Sequence, residues 1–111
     1  MKWTILDNLQ QLDDIKTSDQ PSLIFKHSTR CSISMMAKKR FELDWHALPE
    51  NISVYFLDLI RYREISNYIA EDFDVHHESP QLLLIKDGEC VYEASHGEIS
   101  AEDTAEQIAV V

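Results

Sequence analysis

Two short apolar runs, "PSLIFKH" (21–27) and "ISVYFLDL" (52–59), bracket a segment whose apolar residues recur every four positions. This spacing constrains the fold more than any other feature of the chain. Each run is too short for a buried helix and is rich in β-branched and aromatic residues, so each reads as a strand covered on both faces. Between them Ile33, Ala37, Phe41 and Trp45 step by four and Leu48 follows at three, with Met36 widening the stripe. Residues 32–47 therefore read as an amphipathic helix that Pro49 ends. A strand–helix–strand unit of this length requires parallel strands and a right-handed crossover.

The flanking segments extend the pattern. "WTIL" (3–6) reads as a short edge strand, and Leu9, Leu12 and Ile15 mark a helix over 8–17. Tyr62, Ile65, Ile69 and Phe73 mark a further helix. "SPQLLLIKDGECVYEAS" reads as strands 81–86 and 89–95 joined by an Asp87-Gly88 turn. Ser100, with Asp103 three residues on, caps a last helix whose apolar face is Ala101, Ala105 and Ile108. The order is β-α-β-α-β-α-β-β-α, an α/β mixed central sheet flanked by helices, with an antiparallel hairpin at one side. This is the pattern of the thioredoxin-like fold. A chain of 111 residues suits one domain with a real core, so residues 1–111 are taken as one unit. Two glycines and three prolines leave no linker or low-complexity tract.

The net charge of −10 argues against nucleic acid and anionic membranes as partners. The N-terminus carries neither a secretory signal nor an apolar span. Two cysteines are too few for a disulfide scaffold, which points to the reducing cytoplasm. The charge is uneven, however. From Gln20 to Phe41 there is no acidic residue, and the window holds Lys26, Arg30, Lys38, Lys39 and Arg40, half of the ten lysines and arginines.

Cys31 lies inside that window, where a strand runs into a helix. A helix N-terminus supplies partial positive charge and free N–H groups, which favour a thiolate. Arg30 and Lys26 add to the effect if they point at the sulfur. The flanks Ser28, Thr29, Arg30, Ser32 and Ser34 are polar. That favours a reactive thiol over a buried inert one. Three residues on, where a resolving cysteine would stand, is Ser34. A serine can hydrogen-bond a thiolate but cannot close a disulfide, so the partner thiol must come from another molecule. Cys90 alternates with Tyr92 and Ala94 in the last strand and reads as a packing residue, beyond the roughly 7 Å Cα separation that a disulfide allows. His76 and His77 are adjacent and point apart. No spacing of zinc type exists, and a metal site from His27, Cys31 and His96 would need a tertiary coincidence. Lys38, Lys39 and Arg40 read as a solvated helix face.

Pro80 precedes the strand "QLLLI". X–Pro bonds are cis in only about 5–6% of folded cases, so the residues alone favour trans. The inferred fold carries a cis proline just before its hairpin, beside the active cysteine, and this reverses the expectation. The residue before it, Ser79, then faces Cys31 and offers backbone groups to an extended substrate.

"KHSTRCSIS", "REISNYIAEDFDVHHESPQLLLIKDG" and "ASHGEIS" resemble the monothiol bacilliredoxin family over about residues 4–109. The family pattern at the thiol is Thr-Cys-Pro-Ile-Ser. Here Cys31, Ile33 and Ser34 match, while Arg30 and Ser32 replace the threonine and the proline. The resemblance implies that Cys31 is the nucleophile and Pro80 the cis proline, with Ser34 and Arg30 supporting the thiolate and Thr29, Ser79 and Pro80 meeting the substrate. It implies a monothiol thiol–disulfide oxidoreductase without a bound prosthetic group. Its partners would be S-thiolated client proteins, and its co-substrate a low-molecular-weight thiol such as bacillithiol. Two other classes remain open from the residues: a redox-inactive thioredoxin-like adaptor, and an iron–sulfur carrier that uses Cys31 with an external thiol.

Overall fold

A computed structural model describes residues 2–111, and its elements follow the sequence pattern in the predicted order. They are β1 (Thr4–Ile5), α1 (Gln10–Thr17), β2 (Ser22–His27), α2 (Ser32–Leu43), β3 (Ser53–Asp58), α3 (Arg63–Asp72), β4 (Gln81–Lys86), β5 (Glu89–Ser95) and α4 (Ala101–Ala109). Short 3₁₀ turns at Trp45–Ala47 and His96–Glu98 complete the chain. The strands form one sheet in the order β1-β3-β2-β4-β5. The β1, β3 and β2 strands are parallel, and β4 and β5 run antiparallel to β2. This is the α/β thioredoxin-like fold.

Period-2 alternation along the strands divides the interior in two. Leu23 and Phe25 of β2, Val54 of β3 and Leu82 and Leu84 of β4 meet Ala37 and Phe41 of α2 and Ala101 of α4. Ile24, Leu57, Leu83 and Ile85 point the other way, onto Leu12 and Ile15 of α1 and Ile65 and Ile69 of α3. All six residues of β2 are buried, as a strand covered on both faces requires.

Four local features depart from the sequence reading. Ile33 and Met36 do not belong to the apolar stripe of α2: both are more than half exposed, and the buried line is Ser34, Ala37 and Phe41. At about 100° per residue Met36 lies well off the line through Ser34, Ala37 and Phe41, and Ile33 sits at its edge. The helix also stops at Leu43, and Trp45 reaches the core from the following 3₁₀ turn. Lys38 and Arg40 are engaged rather than freely solvated. Lys38 Nζ donates to Glu42 Oε2 at 2.8 Å, and Arg40 Nη2 donates to the carbonyls of His96 and Ile99.

The fourth departure concerns Cys90. The β4–β5 register runs from Leu84↔Tyr92 to Ile85↔Cys90. One residue on β4 is thus matched by two on β5, and Val91 forms a bulge. One step on β4 changes face, so Cys90 must change face as well. It packs with the α1/α3 core, while Tyr92 and Ala94 pack on the α2/α4 side. The expected shared face of Cys90, Tyr92 and Ala94 is therefore broken by an extra residue. Cys90 is still partly buried, its Sγ donates to the Tyr92 carbonyl at 3.4 Å, and burial pushes its thiol pKa up.

The hairpin turn uses left-handed backbone at both central residues, φ 53° at Asp87 and 78° at Gly88. Gly88→Ala is expected to cost about 1–2 kcal/mol, since alanine resists this φ. Gly97→Ala, with open space around the new Cβ, serves as the comparison and is expected to lose less. Urea denaturation at matched m-values measures both, and equal losses would remove the conformational explanation.

Candidate functional site

The site assembles where β2 and β3 end and β4 begins. His27 ends β2 and pairs with Asp58, the last residue of β3, while Lys26 pairs with Gln81, the first residue of β4. Ligand-binding residues gather at the carboxyl ends of parallel strands because the connecting loops leave the sheet there. From His27 the chain turns through Ser28–Arg30, with Cys31 N–H donating to the Ser28 carbonyl at 3.2 Å. Cys31 is the N-cap of α2, with extended φ −114° and ψ 120°, and its carbonyl accepts the first helical bond, from Met35 N–H, at 3.1 Å. Its thiol is free and partly exposed. Thr29 and Arg30 lie exposed in the loop before it.

Ser34 sits one turn into the helix and is fully buried. Its Oγ accepts from Ser28 N–H at 3.0 Å and lies 2.7 Å from His27 Nδ1. The residue at the place of a resolving thiol thus ties the loop that carries Cys31 to the end of β2. Sequence reasoning missed His27 in this role, having weighed it only as a metal ligand. A histidine closing a buried strand, seven residues before a buried serine, was the available signal.

The two basic residues expected near the sulfur separate. Lys26 lies on the α1/α3 side of the sheet, opposite α2, because it follows Ile24 by two residues. It is fully buried, and its Nζ lies 3.2 Å from His77 Nδ1. Ser66 Oγ stands 3.4 Å from the same nitrogen. Burial lowers the Lys26 pKa to about 8, and burial and then Lys26 lower that of His77. Lys26 therefore does not face Cys31. It braces the segment leading to Pro80 from below. His76 turns outward beside Glu78, at 3.7 Å, and His96 Nε2 approaches the other Glu78 oxygen at 3.7 Å.

The Ser79–Pro80 peptide bond is cis, as the fold argument required. The Pro80 carbonyl accepts from His96 N–H at 3.1 Å, which joins the proline loop to the loop after β5. Ser79 Oγ is buried and, among the described residues, has no hydrogen-bond partner. Buried hydroxyls are normally paired, so Ser79 is an exception, and it stands directly before the cis proline.

Cys90 stands at the opposite end of the sheet. It pairs with Ile85, and Ile85 pairs with Ser22, the first residue of β2, whereas Cys31 lies beyond the last. At about 3.3 Å per residue the length of β2 alone separates the two cysteines by ~16 Å, far outside disulfide range. Both thiols are free. Among the described residues no helix is long and apolar enough to cross a membrane.

Lys26 gives a pH test. Its folded pKa of about 8 lies below the ordinary lysine value of 10.5, so the unfolded chain holds more protons between these values and stability rises with pH there. The cost of burying the ammonium is fully present below about pH 8 and gone above the unfolded value. Lys26→Met is expected to gain about 1–3 kcal/mol at pH 7 and to flatten the wild-type rise between pH 8 and 10. Parallel pH profiles for the two proteins in urea would show that Lys26 is not the cause.

The comparisons with known proteins agree with this geometry. A structure put forward as an oxidoreductase with a thioredoxin fold superposes with a TM-score of 0.80 at 30% identity, covering 94% of this chain and 91% of that one. A thioredoxin from Malassezia sympodialis matches at a TM-score of 0.74 and 15% identity, covering 96% of this chain and 87% of that one, which speaks for the fold alone. Mitochondrial thioredoxin 3 from Saccharomyces cerevisiae does so at 0.70 and 21%, covering 97% and 94%. The family model for monothiol bacilliredoxin BrxC matches residues 4–104, and with nearly the whole chain covered the protein belongs to the monothiol bacilliredoxin BrxC family, within the thioredoxin fold.

Proposed function

We propose that the protein is a monothiol thiol–disulfide oxidoreductase that removes a low-molecular-weight thiol, bacillithiol, from mixed disulfides on client proteins in the reducing cytoplasm. The observation that carries this reading is the isolation of Cys31. It is a partly exposed thiol at a helix N-cap, at the same end of the sheet as the cis proline, with a serine at the resolving position and the other cysteine at the far end of the sheet. Membership of the bacilliredoxin family supports the choice of small thiol.

In this cycle the Cys31 thiolate attacks the small-thiol sulfur of a client–S–S–R disulfide. The Cys31–S–S–R bond forms, the client's S–S bond breaks, and the client leaves as a thiolate that takes up a proton from water. A second small thiolate then attacks the adduct, releasing R–S–S–R and restoring Cys31. No prosthetic group takes part. Ser79 and Pro80 align the client segment, with the Ser79 backbone groups offering it hydrogen bonds. Thr29 and Arg30, exposed beside the thiol, meet the small thiol, whose carboxylates suit the guanidinium. Ser34 supports the thiolate from beneath.

Oxidation with a small-molecule disulfide is expected to add one small thiol per chain, at Cys31. Peptide mapping locates it, and a Cys31–Cys90 bridge as the main product would overturn the mechanism. Cys31→Ser is expected to abolish release of the small thiol from a client, and Cys90→Ser to leave it within twofold. Ser34→Cys is expected to yield an internal disulfide in place of the stable adduct.

A further inference from the structure

The Ser34 hydroxyl has one proton and two acceptor positions. One acceptor position is taken by Ser28 N–H at 3.0 Å. The 2.7 Å contact with His27 Nδ1 has two possible senses, and they differ in consequence. If Nδ1 carries a proton, the ring donates to Oγ, both acceptor positions are filled, and the hydroxyl proton must find a third partner. If Nδ1 is bare, the hydroxyl proton goes to the ring and none remains.

Cap geometry points to the third partner. Cys31 is the N-cap and Ser34 the third residue of α2, and side chains at these two places reach toward one another across a helix start, as in a capping box, so the sulfur is the group to which the hydroxyl can turn. Ser34 is fully buried and His27 only 5% exposed, so water competes weakly for that proton. A donor at this place supports a thiolate more strongly than one in solvent.

We propose that His27 is a positioning residue for Cys31: by holding a proton on Nδ1 it turns the Ser34 hydroxyl toward the sulfur, and it releases that hydroxyl when the sulfur loses its charge. This deepens the monothiol reading and rests on Cys31 being the reacting thiolate. The two states of Cys31 select opposite senses of the His27–Ser34 bond. A thiolate favours Nδ1–H, because the hydroxyl then makes a charge-assisted bond to sulfur. A mixed disulfide offers no charge, and the hydroxyl proton returns to the ring. The relay needs no net proton uptake, since the neutral imidazole moves its proton between ring nitrogens through solvent exchange.

The surroundings keep the ring neutral. Burial, followed by Lys38 of α2, lowers the His27 pKa, while Asp58 of β3 and Glu42 of α2 oppose them. Phe25 of the same strand and Phe56 of β3 pack against the ring at tilts of 43° and 41°, with centroids at 6.4 and 5.2 Å. A neutral ring places the choice in the tautomer rather than in a protonation near neutral pH.

Two measurements test this on the full-length protein. Nitrogen-15 NMR of the His27 ring is expected to report Nδ1–H in the reduced protein above the alkylation midpoint and Nε2–H once Cys31 is blocked as a small-thiol mixed disulfide. The pH midpoint of Cys31 alkylation by iodoacetamide is expected to rise by about one unit in Ser34→Ala and in His27→Leu, a tenfold loss of rate below the midpoint. His27→Asn, which keeps an N–H near the Nδ1 place, is expected to stay near wild type. The double variant His27→Leu/Ser34→Ala is expected to shift no further than Ser34→Ala alone. An unchanged tautomer on blocking Cys31, additive shifts in the double variant, or a wild-type midpoint in Ser34→Ala would overturn the proposal. Should His27→Leu fail to fold, Ser34→Ala and the ring tautomer decide it without that variant. Failure of the monothiol reading looks different: the small thiol would then map elsewhere than Cys31, whatever the midpoints.

Discussion

Strand β2 is held on both edges and covered on both faces, and the position of every candidate group follows from that. Its six residues pair in register with β3 on one side, and five of them pair with β4 on the other. A slip of one residue would reverse both faces, sending Phe25 into the α1/α3 core and Ile24 into the other. The register is therefore fixed by burial, and with it the point where the chain leaves the sheet. Cys31 sits four residues past that point, and Pro80 immediately before the strand that β2 pairs with. The thiol and the cis proline lie at one end of the sheet because one strand delivers the first and pairs with the strand that follows the second.

The same alternation distributes the polar residues at the end of β2. Lys26 and His27 are consecutive, so they enter opposite sides of the sheet. His27 reaches Ser34 and the loop carrying Cys31. Lys26 reaches His77 on the segment that leads to Ser79 and Pro80. Each half of the site thus has its own buried support, placed by strand geometry alone. The lysine support is expensive, because its ammonium is buried with a neutral imidazole rather than a carboxylate as its partner. Its pKa near 8 expresses that cost. The basic window in the sequence is accordingly not one positive field. Lys26 belongs beneath the proline segment, Lys38 to Glu42, Arg40 to the loop after β5, and Arg30 alone stands in the loop before the thiol.

What was legible in the sequence was what periodicity and turn chemistry carry. Strand runs, helix spacing, the Asp87-Gly88 turn and the Ser100 cap gave the element order and most boundaries, and Ser100 Oγ does accept from Asp103 N–H at 3.1 Å. The places where it failed are those where tertiary geometry overrides a local pattern. Nothing in "GECVYEA" marks Val91 as a bulge, since an extra residue is defined only against its partner strand. Ile33 and Met36 continue a helical stripe in sequence, but the buried line of α2 runs through Ser34, Ala37 and Phe41 instead. Lys26 was credited to Cys31 from nearness in the chain, whereas alternation had already assigned it to the other face. His27 was weighed only as a metal ligand, although it closes a buried strand seven residues before Ser34.

The separation of the two cysteines has a kinetic consequence for the proposed cycle. An internal resolving thiol acts at an effective concentration far above that of any dissolved thiol, since its approach is already organised by the fold. With Ser34 at the resolving position and Cys90 at the far end of the sheet, that advantage is absent. Release of the adduct is then bimolecular, and its rate follows the concentration of free small thiol. The stage in which Cys31 carries the adduct is the long-lived one whenever free thiol is scarce. During it a buried hydroxyl still needs a partner, and the imidazole of His27 supplies one at 2.7 Å. A serine held against a histidine remains satisfied in both states of the sulfur, which a serine facing the sulfur alone would not be.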